Sequence, residues 1–407
     1  MRTASAGALG ETTRSAYSDR LITPEETLAR IKPFLRQFGV TRLGRLTGLD
    51  NIGIPVWNAV SPNARSIVIN QGKGITDIDA KVSAAMEALE RAVACAPSIP
   101  IRYATREAIL AAGGQAILLH ALTAHGFTDL GNEEDVAWAS GHDLLRDETT
   151  WVPLDAASLD RTREDCRYWQ SSDGLASGNT QTEATLHGIL ERIERDAEVL
   201  WRMMPLARRL QTCVDPAAFG DAVLSDLAGR IVNAGLTLRL FDITSDIAVP
   251  CYTAVLAPKD ILSMKQPLYH QATIGHGCHP NPVRAAIRAI TEVAQSRLTY
   301  ISGARDDVFP ETFTWPLAEE TRAYFTAKAT SRAIVQPPLA GGPETLLSDV
   351  LRSLNDAQVK SAIALPLLRG DFPFSVVKVF VSQLENPDGL RKRRLGPRAV
   401  ARLLETA

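Results

Sequence analysis

Long apolar runs are missing from this sequence. No window reaches the roughly 18 apolar residues of a membrane span, and the N-terminal MRTASAGALGETTRSAYSDR has no apolar core of signal-peptide length. Charge of one sign is missing too: 44 basic residues meet 46 acidic ones, for a formal net charge of −2. No overall field therefore recruits nucleic acid or a membrane surface. The five cysteines, Cys95, Cys166, Cys213, Cys251 and Cys278, are odd in number and contain no CxxC pair. That usage excludes a disulfide framework and points to reduced thiols in a cytoplasmic protein. A P-loop is absent as well, because QGKG at 71–74 lacks the GxxxxGK[ST] spacing. His276, Cys278 and His279 are potential soft ligands, but no second pair at zinc spacing accompanies them.

What is present is a chain able to build a substantial core, with 45% hydrophobic and 22% charged residues. The first 22 residues, rich in Ser, Thr, Ala and Gly, read as a loose tail. Residues 23–407 contain no low-complexity linker and read as one domain. Thr23-Pro24-Glu25-Glu26 signals a helix start, with a cap, a proline in the first turn and two acids facing the helix dipole; Pro33 then threatens a kink. Strands are expected at 51–60, 66–70, 237–243, 248–255, 361–367 and 375–381, and helices at 216–233 and 344–355. Helices mixed with short strands argue for an α+β or mixed α/β class.

One arrangement recurs. SAAMEALER (83–91), HGILERIER (187–195) and RAITEVAQS (288–296) place an acid in the same register: Glu87, Glu191 and Glu292. Three residues later stand Glu90, Glu194 and Gln295, and the copies lie 104 and 101 residues apart. Each copy follows a glycine-containing segment read as a turn: GKG at 72–74, SGN at 177–179 and GHGCHP at 275–280. Such a long period suggests a repeated strand–turn–helix unit. At about 100° per residue, Val82, Met86, Leu89 and Val93 form a buried stripe, and Ser83, Glu87 and Glu90 a polar one roughly 90–100° away. The second copy sets Leu186, Leu190, Ile193 and Ala197 against His187, Glu191 and Glu194. In the third, Ile287, Thr291, Ala294 and Leu298 stand against Arg288, Glu292 and Gln295.

Acids that border a core repel one another and resist desolvation, and a hard divalent cation removes that penalty. The same pattern also suits a solvated helix face with weak Glu–Arg pairs. Three copies in phase favour the ion-filled cleft. Lys73 in QGKG is either a phosphate-binding ammonium or part of a plain turn. His187 either touches a ligand or is a structural histidine. Glu183 is either a further ligand or an acid favoured by the helix dipole. The run RKRR at 391–394 reads as a solvated loop.

With these residues the sequence resembles the YcaO family from about residue 47 to 385. The landmarks are TGLDNIGIPVW, QGKGITDIDAKVSAAMEALER, LASGNTQTEATLHGILERIERDA, DIAVPCYTAVL, EVAQSR and SVVKVFVSQLEN. The resemblance implies a YcaO-like fold of repeated units around a glutamate-lined cleft for ATP and Mg²⁺. It implies activation of a peptide amide oxygen by phosphorylation, then nucleophilic attack and loss of phosphate. Carried over by position, Ser83, Asn179, Arg195 and Arg297 would hold ATP, with Gln295 in the third motif and Lys73 a weaker match. Glu87, Glu90, Glu183, Glu191 and Glu194 would hold magnesium at the nucleotide. No catalytic base is identified.

Azoline-forming members often end in a proline-rich segment, and some carry a fused leader-binding domain; this chain ends GPRAVARLLETA. The resemblance therefore leans to the TfuA-associated thioamide branch, with a peptide or protein substrate and a TfuA-like partner delivering sulfide. The alternatives are an azoline-forming cyclodehydratase and a non-catalytic nucleotide-binding factor for ribosomal-protein methylthiolation. A homodimer is expected by family analogy alone.

Overall fold

The computed structural model describes residues 17–331, 333–334, 341–387, 389, 391 and 395–406. Most of the expected tail (residues 1–16) and residues 392–394 of the basic run lie outside the described residues. No helix among the described residues is long and apolar enough to cross a membrane.

Strands β1 (Arg42–Arg45), β2 (Val56–Val60) and β3 (Ile69–Lys73) form an antiparallel sheet in that order. Strands β4 (Ile101–Ala104), β5 (Gln115–Ala116), β6 (Val136–Asp143), β7 (Glu148–Pro153) and β8 (Leu175–Gly178) begin a second sheet. A third sheet contains β9 (Cys213–Val214), β10 (Leu236–Asp242), β11 (Cys251–Pro258) and β12 (Thr273–Cys278), in the order β12-β11-β10-β9. Strands β13 (Ile363–Pro366) and β14 (Ser375–Phe380) return to the second sheet, giving β5-β7-β6-β13-β14-β8 with β4 on β6. This is the mixed class expected. The long helices are α1 (Pro24–Ile31), α2 (Asp77–Cys95), α3 (Gln181–Arg202), α4 (Ala222–Asn233), α5 (Pro282–Ser302), α6 (Pro343–Asp356) and α7 (Pro397–Thr406).

The repeat is real. It consists of β3–α2, β8–α3 and β12–α5, and each of the three strands is the edge of its own sheet. The helices start alike. Thr76, Thr180 and Asn281 cap them through bonds from Asp79, Glu183 and Arg284 N–H, and each cap precedes the first acid of its recurring motif, Glu87, Glu191 or Glu292, by 11 residues. Each helix also reaches the next copy's strand. Helix α2 packs on β3 and β8, α3 on β8 and β12, and α5 on β12 and back on β3, so the three units close into a ring. Met86, Leu89 and Val93 are buried, as are Leu186, Leu190, Ile193 and Ala197, and Ile287, Thr291, Ala294 and Leu298. Each such aliphatic side chain contributes about 1.5–3 kcal/mol by leaving water.

The glycine segments are not turns. Gln71 to Lys73, Ser177 to Gly178 and Gly275 to Cys278 are strand residues, and the links to the helices are shorter. Their glycines serve close approach instead. A Cβ on Gly72 would collide with Ala80 O and Ala84 N, one on Gly178 with Ala184 N, and one on Gly275 with Val293 N. The strand expected at 51–60 is confined to Val56–Val60. The helix expected at 216–233 breaks into a 3₁₀ turn, Pro216–Phe219, and α4, because Gly220 turns left-handed and Asp221 caps anew. Helix α1 starts at Thr23 as expected and gives way to a 3₁₀ turn at Lys32–Phe34, which contains Pro33.

Residues 17–22 are not loose where they are described. Tyr17 donates to Asp221 (2.6 Å), Leu21 N to Glu183 (2.7 Å), and Arg20 pairs with Glu183 (3.1 Å). These contacts are far apart in sequence, so composition alone gives no sign of them.

Gly72→Ala should destabilise the fold by at least about 3 kcal/mol or prevent folding, because two packed backbones would have to separate. Gly229→Ala, in α4 with open space around its Cβ, should stabilise by about 0.5–1 kcal/mol. Denaturant titration of both variants checks the contrast.

Candidate functional site

The ring of helices encloses a cavity of about 600 Å³. Nine of the residues expected from sequence line it: Lys73, Ser83, Glu87, Glu90, Asn179, Glu191, Glu194, Arg195 and Gln295. They arrive from three helices, from strand β3 and from the link between β8 and α3, and equivalent acids make equivalent bonds. Glu87 Oε2 accepts from Gln71 N (3.1 Å), Glu191 Oε2 from Gly174 N (3.1 Å) and Glu292 Oε1 from His276 N (3.1 Å). In every copy the first acid of the stripe is thus tethered to main chain at or beside its own edge strand. The second position reaches across copies. Ser177 Oγ donates to Glu90 (3.0 Å), and Gln295 Nε2 donates to Gln71 O (3.0 Å).

Cations interleave with these acids. Arg91 bonds Glu87 (3.2 Å), and Lys73 Nζ pairs with Glu292. Arg195 stands 3.5 Å from Glu191 and Asp173 and 3.7 Å from Glu194. The balance is incomplete. Burial, then the charges of Glu87 and Glu191, push Glu90 well above the carboxylate range. Burial pushes Glu191 up to about 7, with Asp173 and Glu194 adding to it against Arg195's opposition. Glu194 is raised by burial and by Glu292. Glu292 differs: burial opposes its charge, but Lys73 and then Arg195 hold it down at about 2. Carboxylates that resist ionisation beside others that do not form a donor set short of positive charge.

Among the described residues no three His, Cys, Asp or Glu side chains lie close enough to hold a metal by themselves. A divalent ion here would take one or two carboxylates and draw its other oxygens from water or a phosphate. That is the habit of Mg²⁺, so the residues present fit a magnesium–phosphate ligand.

Two expected residues are not at the cavity wall. Arg297 points to Asp50 (3.7 Å); two residues beyond Gln295, it lies about 200° round the helix. Glu183 is buried, and its carboxylate is occupied by Asn179 N and Nδ2 (both 2.9 Å), Arg20 and Leu21 N. Lining residues that the site assignment omitted include Arg288 and Glu292, which already stood in the polar stripe of the third copy. Arg91, one turn after Glu87, was equally legible. Tyr17, Asp19 and Arg20 carried no sequence signal. His187 both lines the cavity and accepts from Arg288 (2.9 Å). Burial and the Arg288 charge depress its pKa, so it is neutral at physiological pH. Of the soft-ligand trio, His276 and His279 line the cavity, where His276 bonds Thr253 (3.0 Å) and His279 accepts from Asn281 N (2.9 Å), while Cys278 sits opposite Cys251.

A family model described as YcaO cyclodehydratase, ATP- and Mg²⁺-binding, matches residues 71–385. An uncharacterized protein in the tfuA 3′ region of Rhizobium leguminosarum bv. trifolii is 38% identical over 95% of this chain and 93% of its own. A protein of Methanothermobacter thermautotrophicus is 36% identical over 70% of this chain and 72% of its own. Among solved structures, a heterocyclase in complex with substrate and cofactor aligns with a TM-score of 0.74 at 21% identity over 90% of this chain. The chain spans 53% of that heterocyclase. YcaO from Methanopyrus kandleri, bound with AMPPCP and Mg²⁺, aligns with a TM-score of 0.70 at 23% identity, over 90% of this chain and 92% of that one. Likeness at these identities establishes the shared fold.

The raised carboxylates make stability depend on pH. Glu191 titrates at about 7 when folded and near 4.3 when unfolded. Between those values the folded form binds more protons, so Glu191 costs stability as pH rises through the window. His187 and His279, depressed mainly by burial, act in the opposite sense, so the test is a difference. In EDTA, the wild type should lose stability relative to Glu191→Gln between about pH 5 and 7, and millimolar Mg²⁺ should remove the difference. Thermal melts across that range read it.

Proposed function

The chain belongs to the YcaO family, and from that premise we propose that it activates a peptide backbone amide with ATP and Mg²⁺ and exchanges the amide oxygen for sulfur. The observation that carries the nucleotide site is the ring of tethered glutamates from three helices around one cavity, interleaved with Lys73, Arg91, Arg195 and Arg288. Glu87, Glu90, Glu191 and Glu194 are assigned to the magnesium–phosphate ligand, an ion taking one or two of these carboxylates directly, and Lys73, Ser83, Asn179, Arg195 and Gln295 to the nucleotide. Arg288 and Glu292 take the place expected for Arg297. Glu183 acts through Asn179, which it orients. Bound magnesium would neutralise phosphate charge.

The amide oxygen attacks the γ-phosphorus of ATP, ADP leaves, and the amide group, on losing its N–H proton, becomes an O-phosphorylated imidate. Sulfide adds to that carbon, phosphate leaves with the former amide oxygen, and a thioamide remains. The protein contributes placement and charge. Arg195 and Arg288 line the cavity, and their guanidinium donors would meet the transferred phosphoryl group, where charge stabilisation and orientation supply most of the acceleration. The relative in the tfuA 3′ region supports a TfuA-like protein as partner, and the thioamide branch that the sequence resembles would have that partner deliver sulfide as the nucleophile. A second reading, cyclodehydration of Cys, Ser or Thr to an azoline, is favoured by the fold shared with the heterocyclase.

Mass spectrometry separates these readings. With candidate peptide, ATP, sulfide and a TfuA-like partner, a gain of ~16 Da denotes oxygen-to-sulfur exchange, and a loss of ~18 Da denotes cyclodehydration. No change, with nucleotide still bound, denotes an accessory role. Glu191→Gln should fold with unchanged or higher thermal stability, because a neutral amide replaces a carboxylate that resists charge. Its affinity for Mg·AMPPCP should fall at least ~10-fold. Calorimetric titration reads that loss, and unaltered affinity would remove Glu191 from the site.

A further inference from the structure

Behind the cavity wall lies a cation that the nucleotide site does not use. Lys378 on β14 is only 4% exposed. Its ammonium donates to two main-chain carbonyls, Ser171 O (2.6 Å) and Asp173 O (2.8 Å). The carboxylates of Asp173, Glu191 and Glu90 favour its charge, but its bonds go to main-chain carbonyls, and a buried charge so held is a poor way to stabilise a core, where an apolar side chain of similar volume does as well or better. Core packing therefore does not account for a lysine here.

The segment that Lys378 holds does account for it. Residues 171–174 form a tight loop. Ser171 Oγ donates to Asp173 (2.7 Å), Leu175 N closes on Ser172 O (2.8 Å), and Gly174, at φ +74°, accepts from Val379 N (2.7 Å). Three groups of this loop grip the site. Gly174 N–H holds Glu191 (3.1 Å), Asp173 faces Arg195 (3.5 Å), and Ser172 accepts from Arg91 (3.4 Å). One loop thus sets side chains on both α2 and α3, and Lys378 pins it at two of its four carbonyls.

We propose that Lys378 is a positioning residue of the magnesium–nucleotide site, fixing the 171–174 loop so that Glu191, Arg195 and Arg91 are aimed into the cavity. The proposal rests on the reading of that cavity as a Mg·nucleotide site. Outer partners of metal-binding side chains typically change metal affinity ~10- to 100-fold when removed.

The test is Lys378→Met, read by calorimetry with Mg·AMPPCP and, separately, with AMPPCP in EDTA. The expected result is at least ~10-fold weaker binding with Mg²⁺, a change within ~3-fold without it, and recovery in Lys378→Arg. A background-charge role gives the opposite sign, because removing a buried cation near Glu191 and Glu90 would tighten Mg²⁺ binding. Tighter or unchanged Mg²⁺ binding, or equal losses with and without metal, overturns the proposal. If the Met variant does not fold, Lys378→Gln is read by the same criteria; failure of both to fold assigns Lys378 to the core and also overturns it. A wild type that binds no Mg·AMPPCP would sink the cavity reading itself, whereas normal wild-type binding with unaltered variants sinks only the role of Lys378.

Discussion

A carboxylate tethered to a main-chain N–H is the constraint on which this structure turns. Glu87, Glu191 and Glu292 each spend one oxygen on an N–H at or beside a sheet edge, at the same 3.1 Å. The tether sets the height and rotation of each helix against its strand. The glycines beneath, Gly72, Gly178 and Gly275, permit that approach because they have no Cβ to collide with the helix backbone. Sheet edges usually need protection from pairing with other chains. Here a helix covers each one, and the covering side chains are those that define the cavity.

Closing the ring has an electrostatic consequence. Three stripes that would each be tolerable alone are brought together, and their acids compete for few cations. Glu292 is satisfied by Lys73, while Glu90, Glu191 and Glu194 are left resisting ionisation. That imbalance is costly in an empty site and useful in one that receives a divalent ion and a phosphate chain. The fold tolerates it because hydrophobic burial on the adjoining apolar stripe of each helix is large. The inner stripe of α3, with Leu186, Ile189, Leu190 and Ile193, is at most 3% exposed. The family model, described as ATP- and Mg²⁺-binding, accords with this logic, which stands on the side chains themselves.

The repeat was readable because helical periodicity is local: eleven residues from cap to acid put each glutamate on the same face in all three copies. The same arithmetic pointed to Arg288 and Glu292, while the segment EVAQSR suggested Arg297, which the helix turns away from the cavity toward Asp50. The glycine segments read as turns in the sequence and are strands in the structure, because a glycine that permits a tight bend and one that permits close packing look identical in one dimension. Residues 17–22 were misread for another reason. Their partners, Asp221, Glu183 and His279, lie more than 150 residues away.

By itself the sequence determined the three amphipathic helices, their caps, the phase of their acidic stripes and the family to which they point, since each depends on neighbours within a few turns. Only the tertiary structure decided that the three strands are sheet edges, that the third unit returns to the first, that Glu183 is occupied by Arg20, and that Lys378 grips the loop behind Glu191. Those contacts join segments separated by a hundred residues or more. Which distant groups meet is settled by how sheets pack and close, and a local pattern contains no term for that.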